Sequence, residues 1–225
     1  MRLQDVHEMA PQGRVSTGLL LWHSDRLVFT LAQRDYWRVV GEATEIDIIG
    51  IGGRLEPGET ATDAVLREAQ EEAGTGVDIF DCARTLVSWE SGPTLHVQLQ
   101  DEAPRPVLIW QRTIPTRHDG KVIKRPYAVA VFEAVVRGAP HPTGENPGLV
   151  WLPSGLFLQL LEEPAPLHQT LAQGACYQGE TLPERASLGL SGSALYLAQY
   201  WDMLVRRGPL LDVAGGAGDR PDDKG

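Results

Sequence analysis

The first third of the chain carries short apolar, β-prone runs separated by turn residues, a pattern that predicts β-structure. Residues 14–22 and 26–32 each read as a strand, and His23-Ser24-Asp25 between them is turn material, so a hairpin is expected. Residues 33–45 are polar and irregular. Ile46, Ile48, Ile49 and Ile51 then form a β-branched run ending at Gly52-Gly53, the pattern of a buried strand that enters a tight turn. From Thr60 to Ala73 no Pro or Gly interrupts the chain, Thr60 and Asp63 match a capping box, and Gly74 supplies a stop, which together predict a helix. Residues 77–88, 106–114 and 127–136 are rich in Val, Leu and Ile and read as further sheet, with Asp119-Gly120 as the turn between the last two. Past Leu149-Val150-Trp151 the pattern becomes helical, over 154–163, 166–175 and 193–206. Residues 214–225 have almost no apolar content and are expected to be a disordered tail. The chain therefore divides into an α/β unit over 1–153, a helical extension over 154–213, and the tail. The apolar run Leu156, Phe157, Leu158, Leu160 and Leu161 needs a partner surface, either the first unit or a homodimer interface.

Composition narrows the function classes. With 20 basic and 30 acidic residues the formal charge is −10, which argues against a broad surface for a nucleic-acid polymer or an anionic membrane. An anionic substrate would have to meet a local basic cluster or a metal ion. Cys82 and Cys176 lack metal-site spacing and are too few for a disulfide scaffold, so both are read as reduced thiols of a cytoplasmic protein. The apolar run Leu19-Leu20-Leu21-Trp22 is too short for a signal core or a membrane span. The six histidines show no zinc-hydrolase spacing, and Gly50-x-Gly52-Gly53 does not form a dinucleotide fingerprint.

The chemistry concentrates on the helix. Glu68, Glu71 and Glu72 stand at i, i+3 and i+4, so their carboxylates share one face. Val65, Leu66, Ala69 and Ala73 form a neighbouring apolar stripe that can dock on a sheet and leave the acidic stripe at the edge of a cleft. Carboxylates gathered in this way repel one another unless a cation sits among them. Hard oxygen ligands suit Mg²⁺ or Mn²⁺, with water and substrate phosphate completing the shell.

Seven spaced residues, Gly53, Glu59, Arg67, Glu68, Glu71, Glu72 and Gly74, would coincide by chance in on the order of one window in 10⁸ at average residue frequencies. Together they resemble the Nudix box, G-x₅-E-x₇-R-E-U-x-E-E-x-G-U, in which U is a bulky apolar residue. The sequence departs from it at Ala69 and Thr75, where larger apolar side chains are usual. The resemblance covers roughly residues 14–153. It implies an α/β/α sandwich with a mixed β-sheet, to which the helical extension would be an addition. It also implies hydrolysis of a diphosphate bond by a metal-activated water, with Glu68, Glu71 and Glu72 as metal ligands, Glu72 foremost, and the carbonyl of Gly52 as a backbone ligand. Gly53, Glu59, Arg67 and Gly74 would support the box, Arg67 and Glu59 as the pair that orients helix against loop. Family members differ in their general base. A box glutamate is one choice, and here Glu145, in the loop before Leu149, is another, ahead of Glu133 and Glu90.

The box specifies a bond and leaves the molecule open. A nucleoside diphosphate linked to a second group, such as ADP-ribose, a nucleotide sugar or a dinucleoside polyphosphate, is the first expectation. A nucleoside triphosphate pyrophosphohydrolase is the second, and a nucleotide sensor without turnover is the alternative of another class. Pro93 lies in the region after the box where ADP-ribose-cleaving relatives often carry a proline. Tyr36, Trp37 and Trp89 are candidates to stack on a base. Between residues 112 and 125, Arg112, Arg117, Lys121, Lys124 and Arg125 face one acid, Asp119, which reverses the charge of the whole chain. On a returning strand Lys121 and Arg125 would share a face and could hold a phosphate, with Arg34 and Arg38 as alternatives.

Overall fold

A computed structural model of the chain describes residues 14–100, 103–118, 121–144 and 146–205. Residues 1–13, the expected turn Asp119-Gly120, Glu145 and the expected tail 214–225 lie outside them. The predicted hairpin forms: β1 (Arg14–His23) returns as β2 (Arg26–Leu31), with His23 opposite Arg26 and Ser24 at a φ of 57°. A short 3₁₀ turn, Arg34–Tyr36, leads through β3 (Arg38–Val40) into β4 (Ala43–Ile49), which pairs antiparallel with β2. After α1 (Ala61–Ala73) come β5 (Val77–Ile79), β6 (Thr85–Trp89), β7 (Thr94–Val97), β8 (Leu108–His118) and β9 (Lys121–Val136). Strands β8 and β9 form one long antiparallel hairpin in which His118 stands opposite Lys121. Strand β9 also runs parallel to β1, from Arg14 opposite Tyr127 to Trp22 opposite Val135. With β6 parallel to β8, the sheet is mixed.

Period-two alternation sorts this sheet into two faces. On β1, Leu19 and Leu21 face α1 while Leu20 faces the other side; on β9, Ala128, Ala130 and Phe132 share the first face and Val129 and Val131 the second. The first face is closed by Val65, Ala69 and Ala73 of α1. Leu66 was expected in that stripe, but it is 41% exposed and Ala64 is buried instead. A step of 100° per residue turns Leu66 past the edge of the contact, and Ala64 comes round to fill it. Thr75, at the other unusual box position, is buried and donates its hydroxyl to the Gly76 carbonyl.

The C-terminal segment runs β10 (Gly148–Pro153), α2 (Ser154–Glu162), β11 (Ala165–Pro166), α3 (Leu167–Ala172), β12 (Cys176–Gly179), β13 (Ala186–Leu190), α4 (Gly192–Gln199) and α5 (Trp201–Val205); its strands extend the sheet, and α2, α4 and α5 cover the second face. Helices thus flank both sides of the sheet. Residues 166–175, read as one helix, form a helix only over α3, and the segment adds strands the periodicity did not announce. Strand β12 pairs with β10, and β13 runs parallel to β4 from Ala186 opposite Thr44 to Leu190 opposite Ile48. The apolar residues Leu156, Phe157 and Leu160 find their partner surface within the chain. Phe157 stacks on Phe29 at 4.9 Å and meets Trp201 edge-on at 5.7 Å, and Trp201 in turn lies 6.1 Å from Trp22. Both cysteines are free thiols, Cys82 buried and Cys176 exposed. Among the described residues no helix is long and apolar enough to cross a membrane.

Candidate active site

The loop between β4 and α1 is built on glycine. The Leu19 N–H donates to the Ile51 carbonyl and the Thr17 N–H to the Gly53 carbonyl, so residues 51–53 run beside β1. Gly52 adopts a φ of 147°, and a Cβ there would lie 2.3 Å from the Thr17 carbonyl oxygen. At Gly53 a Cβ would lie 1.9 Å from Oε1 of Glu68. Only glycine at position 52 lets the loop approach β1, and a side chain at position 53 would displace the Glu68 carboxylate.

Helix α1 begins and ends as its sequence predicts. Thr60 and Asp63 form the reciprocal capping box, and Gly74 closes the helix at a φ of 61°. A side chain at Gly74 would strike the His141 ring. The last carbonyls of α1 are taken up by one loop: His141 donates its N–H to Ala73, Thr143 its hydroxyl to Glu71, and Asn146 its side-chain amide to Glu72 at 3.0 Å.

One cation holds the acidic face together. Arg67 donates Nε to Glu59 at 2.9 Å, Nη2 to Glu59 and to the Arg54 carbonyl, and Nη1 to both Glu68 and Glu71 at 2.7 Å each. Glu59 also accepts the Glu56 N–H. The guanidinium, followed by that backbone donor, holds the Glu59 carboxyl below the usual carboxylate range, and the Glu59 contact in turn pushes Arg67 further above the normal arginine range. Glu72 is tied to the loop instead, its Oε2 accepting the Gly52 N–H at 2.8 Å.

This arrangement carries a stability prediction. The side chains of Arg67, Glu59 and Glu68 are 24%, 12% and 11% exposed, whereas Glu71 is 40% exposed and adds least. Replacing Arg67 with Ala leaves three carboxylates without their cation and is expected to cost about 1–3 kcal/mol at pH 7 by urea unfolding. Because the folded-state pKa of Glu59 is lowered, its contribution is present above the ordinary glutamate value and is lost as pH falls through the lowered one. The gap between wild type and variant should hold from pH 7 to about 5 and shrink below about pH 4. A gap absent at pH 7, or unchanged at pH 3, would refute the clamp.

Among the described residues no three His, Cys, Asp or Glu side chains form a preformed metal cage. The donor set still fits Mg²⁺, which takes one or two carboxylates, several waters and substrate phosphate in preference to an all-protein cage. Glu68 and Glu71 already meet on a single cationic nitrogen, and Glu72 is anchored one turn along the same face.

A cavity of about 600 Å³ opens on Glu72. Leu31, Ala32, Ile49 and the half-buried Trp37 supply apolar wall, and Asp47, Asn146 and Ser191 supply polar groups. Trp37 and Arg38, expected near the substrate, do line this cavity. Arg38 spends both Nη atoms on Asp47, at 3.0 and 2.8 Å, and Arg34 lies over the Trp37 ring while paired with Glu180. Arg112, expected in the basic cluster, is committed elsewhere: it donates to Ser88 and to the Tyr200 hydroxyl at 2.6 Å, fastening the end of α4 to the sheet. Lys121 begins β9, and Arg125 on the same strand is half-buried. Glu133 accepts from the Trp22 indole, and Glu90 lies just past β6. Asp47, Thr143, Asn146 and Ser191 escaped the sequence analysis because single polar residues in or beside strands and turns carry no spacing signal.

The family model described as NUDIX domain matches residues 13–166, more than half of the chain. No curated protein sequence matches it. Among solved structures, a NUDIX family hydrolase from Clostridium perfringens shares 16% identity over 85% of this chain and 97% of that one, with a TM-score of 0.45. A MutT protein from Bacillus halodurans shares 18% over 71% and 78%, with a TM-score of 0.40. The E. coli dihydroneopterin triphosphate pyrophosphohydrolase shares 17% over 63% and 81%, with a TM-score of 0.38. Likenesses at this level carry no argument about substrate. The matched span contains the glycine loop, the clamped acidic helix and every strand from β1 to β10, and the chain belongs to the NUDIX family of pyrophosphohydrolases.

Proposed function

We propose that this pyrophosphohydrolase uses Mg²⁺ or Mn²⁺ to cleave the diphosphate bond of a nucleoside diphosphate joined to a second group, of the ADP-ribose, nucleotide-sugar or dinucleoside-polyphosphate type. The observation that carries the reading is the cavity of about 600 Å³ lined by Glu72 and Trp37 together, in which apolar wall and aromatic ring stand with carboxylates, Arg38, Asn146 and Ser191. A nucleoside fits such a mixed lining, with its phosphates toward Glu72 of the acidic helix.

Glu68, Glu71, Glu72 and the carbonyl of Gly52 are the groups that would hold the ion, which supplies charge neutralisation and an acidified water when bound. The Gly52 N–H fixes the rotamer of Glu72, and Arg67 keeps Glu68 and Glu71 on one face. Glu145 is our candidate for the group that takes the proton of the attacking water. Its chain neighbours Thr143 and Asn146 bind the carbonyls of Glu71 and Glu72, which supports the assignment. Lys121 and Arg125 are proposed to hold the phosphate that does not react, an interaction that would act on KM more than on kcat.

The test is turnover of a nucleotide panel with Mg²⁺, read as phosphate released by added phosphatase. The expected result is two products that each end in a phosphatase-sensitive phosphate, both of them monophosphates when the substrate is a linked diphosphate such as ADP-ribose or a nucleotide sugar. Pyrophosphate released from a nucleoside triphosphate would move the assignment to a triphosphate pyrophosphohydrolase. Binding without any product would make the chain a sensor.

A further inference from the structure

The loop that closes α1 contains a buried polar atom with no hydrogen-bond partner among the described residues. Asn146 is only 8% exposed and lines the cavity beside Glu72. Its side-chain nitrogen donates to the Glu72 carbonyl at 3.0 Å. A carbonyl oxygen can only accept, so the amide cannot be turned over, and the remaining atom is an acceptor. That atom, Oδ1, is buried and finds no hydrogen-bond donor among the described residues. Among the described residues, two other buried polar atoms without a partner, on Thr17 and Trp110, belong to residues that do not line this cavity.

An unpartnered acceptor costs stability, and the cost falls on the free protein. Its place in the lining of the cavity makes it a group that a ligand can complete. We infer that Asn146 is a specificity-determining residue, whose Oδ1 accepts a hydrogen bond from a neutral N–H or O–H donor on the nucleoside half of the substrate. This deepens the proposed function and rests on it for the identity of the ligand. A site built around an unpaired acceptor selects by penalty: a ligand that brings a donor removes an existing cost, and one that does not leaves the acceptor unpaired. A nucleoside offers two sources of such a donor, a base amino or imino group and a sugar hydroxyl. Asp47, with both oxygens held by Arg38, and Ser191 line the same cavity and can fix the ligand's orientation.

Nucleoside monophosphates separate this inference from hydrolysis, because they contain no diphosphate bond. Binding of AMP, GMP, CMP, 2′-deoxy-AMP and purine riboside 5′-monophosphate would be measured by calorimetry on the full chain. The wild type is expected to bind at least one donor-bearing monophosphate about tenfold or more tightly than its analogue lacking that donor. Loss on 2′-deoxygenation assigns the sugar hydroxyl, and loss on removal of the purine amino group assigns the base. In Asn146→Ala the preference should shrink to within about twofold, and in Asn146→Asp, which keeps an acceptor oxygen, it should persist. A residue that merely supports the end of α1 would weaken all the monophosphates equally and leave the preference intact, which would overturn the inference. A wild type indifferent to every donor removal, or one that binds none of the five, would overturn it without any variant. A preserved preference in a protein that hydrolyses nothing would refute the hydrolase reading and leave Asn146 in its role.

Discussion

Replacing Glu72 with Gln is expected to lower kcat by at least about a hundredfold, with the fold unchanged and KM within a fewfold of wild type. The amide is nearly the size of the carboxylate, and its oxygen can still accept the Gly52 N–H that now meets Oε2 at 2.8 Å. The glycine loop therefore keeps its anchor, and melting temperature should move little. What is lost is a negative charge in the lining of the cavity, one of those that would hold the proposed divalent ion. Glu68→Gln would be a poorer probe. Glu68 is buried against Gly53 and bonded to Arg67, so that change mixes lost charge with a loosened clamp. Steady-state kinetics on the best substrate, together with a Mn²⁺ titration, give the answer. Turnover within a fewfold of wild type would show that Glu72 serves the loop and not the ion.

The reach of sequence reasoning depended on how local each signal was. The box was legible because its parts lie on one helix and one loop. Thr60 finds Asp63 three residues away, Gly74 stops the helix where an αL residue is needed, and three glutamates share a face by helical spacing alone. The β1–β2 hairpin was legible for the same reason, since the turn and both apolar runs sit in 18 consecutive residues, 14–31. The parallel pairing of β13 with β4 joins segments about 140 residues apart, and no periodicity in either one names its partner. The basic stretch shows the opposite failure. Its charges were easily counted, but only tertiary contact reveals that Arg112 is bound to Tyr200 from the far end of the chain. The cavity is likewise assembled from Leu31–Arg38, Asp47 and Ile49, Glu72, Asn146 and Ser191, five separate stretches whose convergence is a property of the sheet.

Removing residues 154–225 is expected to give an insoluble product, although the box, its helix and the strands through β10 would all remain. The proposed division at residue 153 is thus one of sequence pattern, and the test is whether it is also one of stability. Truncation strips from one face of the sheet Phe157, which stacks on Phe29, Trp201, which packs on Phe157 and Trp22, and Leu188 on the strand beside β4. Ile46, Ile48 and Phe29, each fully buried, would then face water as one contiguous apolar patch. The inner edge of β4 would also lose its parallel partner and present unpaired N–H and C=O groups, a template for association between chains. The two effects act together, since an apolar face and an open edge are the ingredients of sheet-to-sheet aggregation. A milder variant separates packing from edge exposure. Trp201→Ala leaves β13 in place and removes only the ring at the centre of the aromatic cluster, so it should fold but lose about 3–5 kcal/mol. Size-exclusion chromatography of the truncated chain and urea unfolding of the point variant read the two arms. A monodisperse, active 1–153 fragment would show that the NUDIX unit stands alone and that the C-terminal segment is an accessory to it.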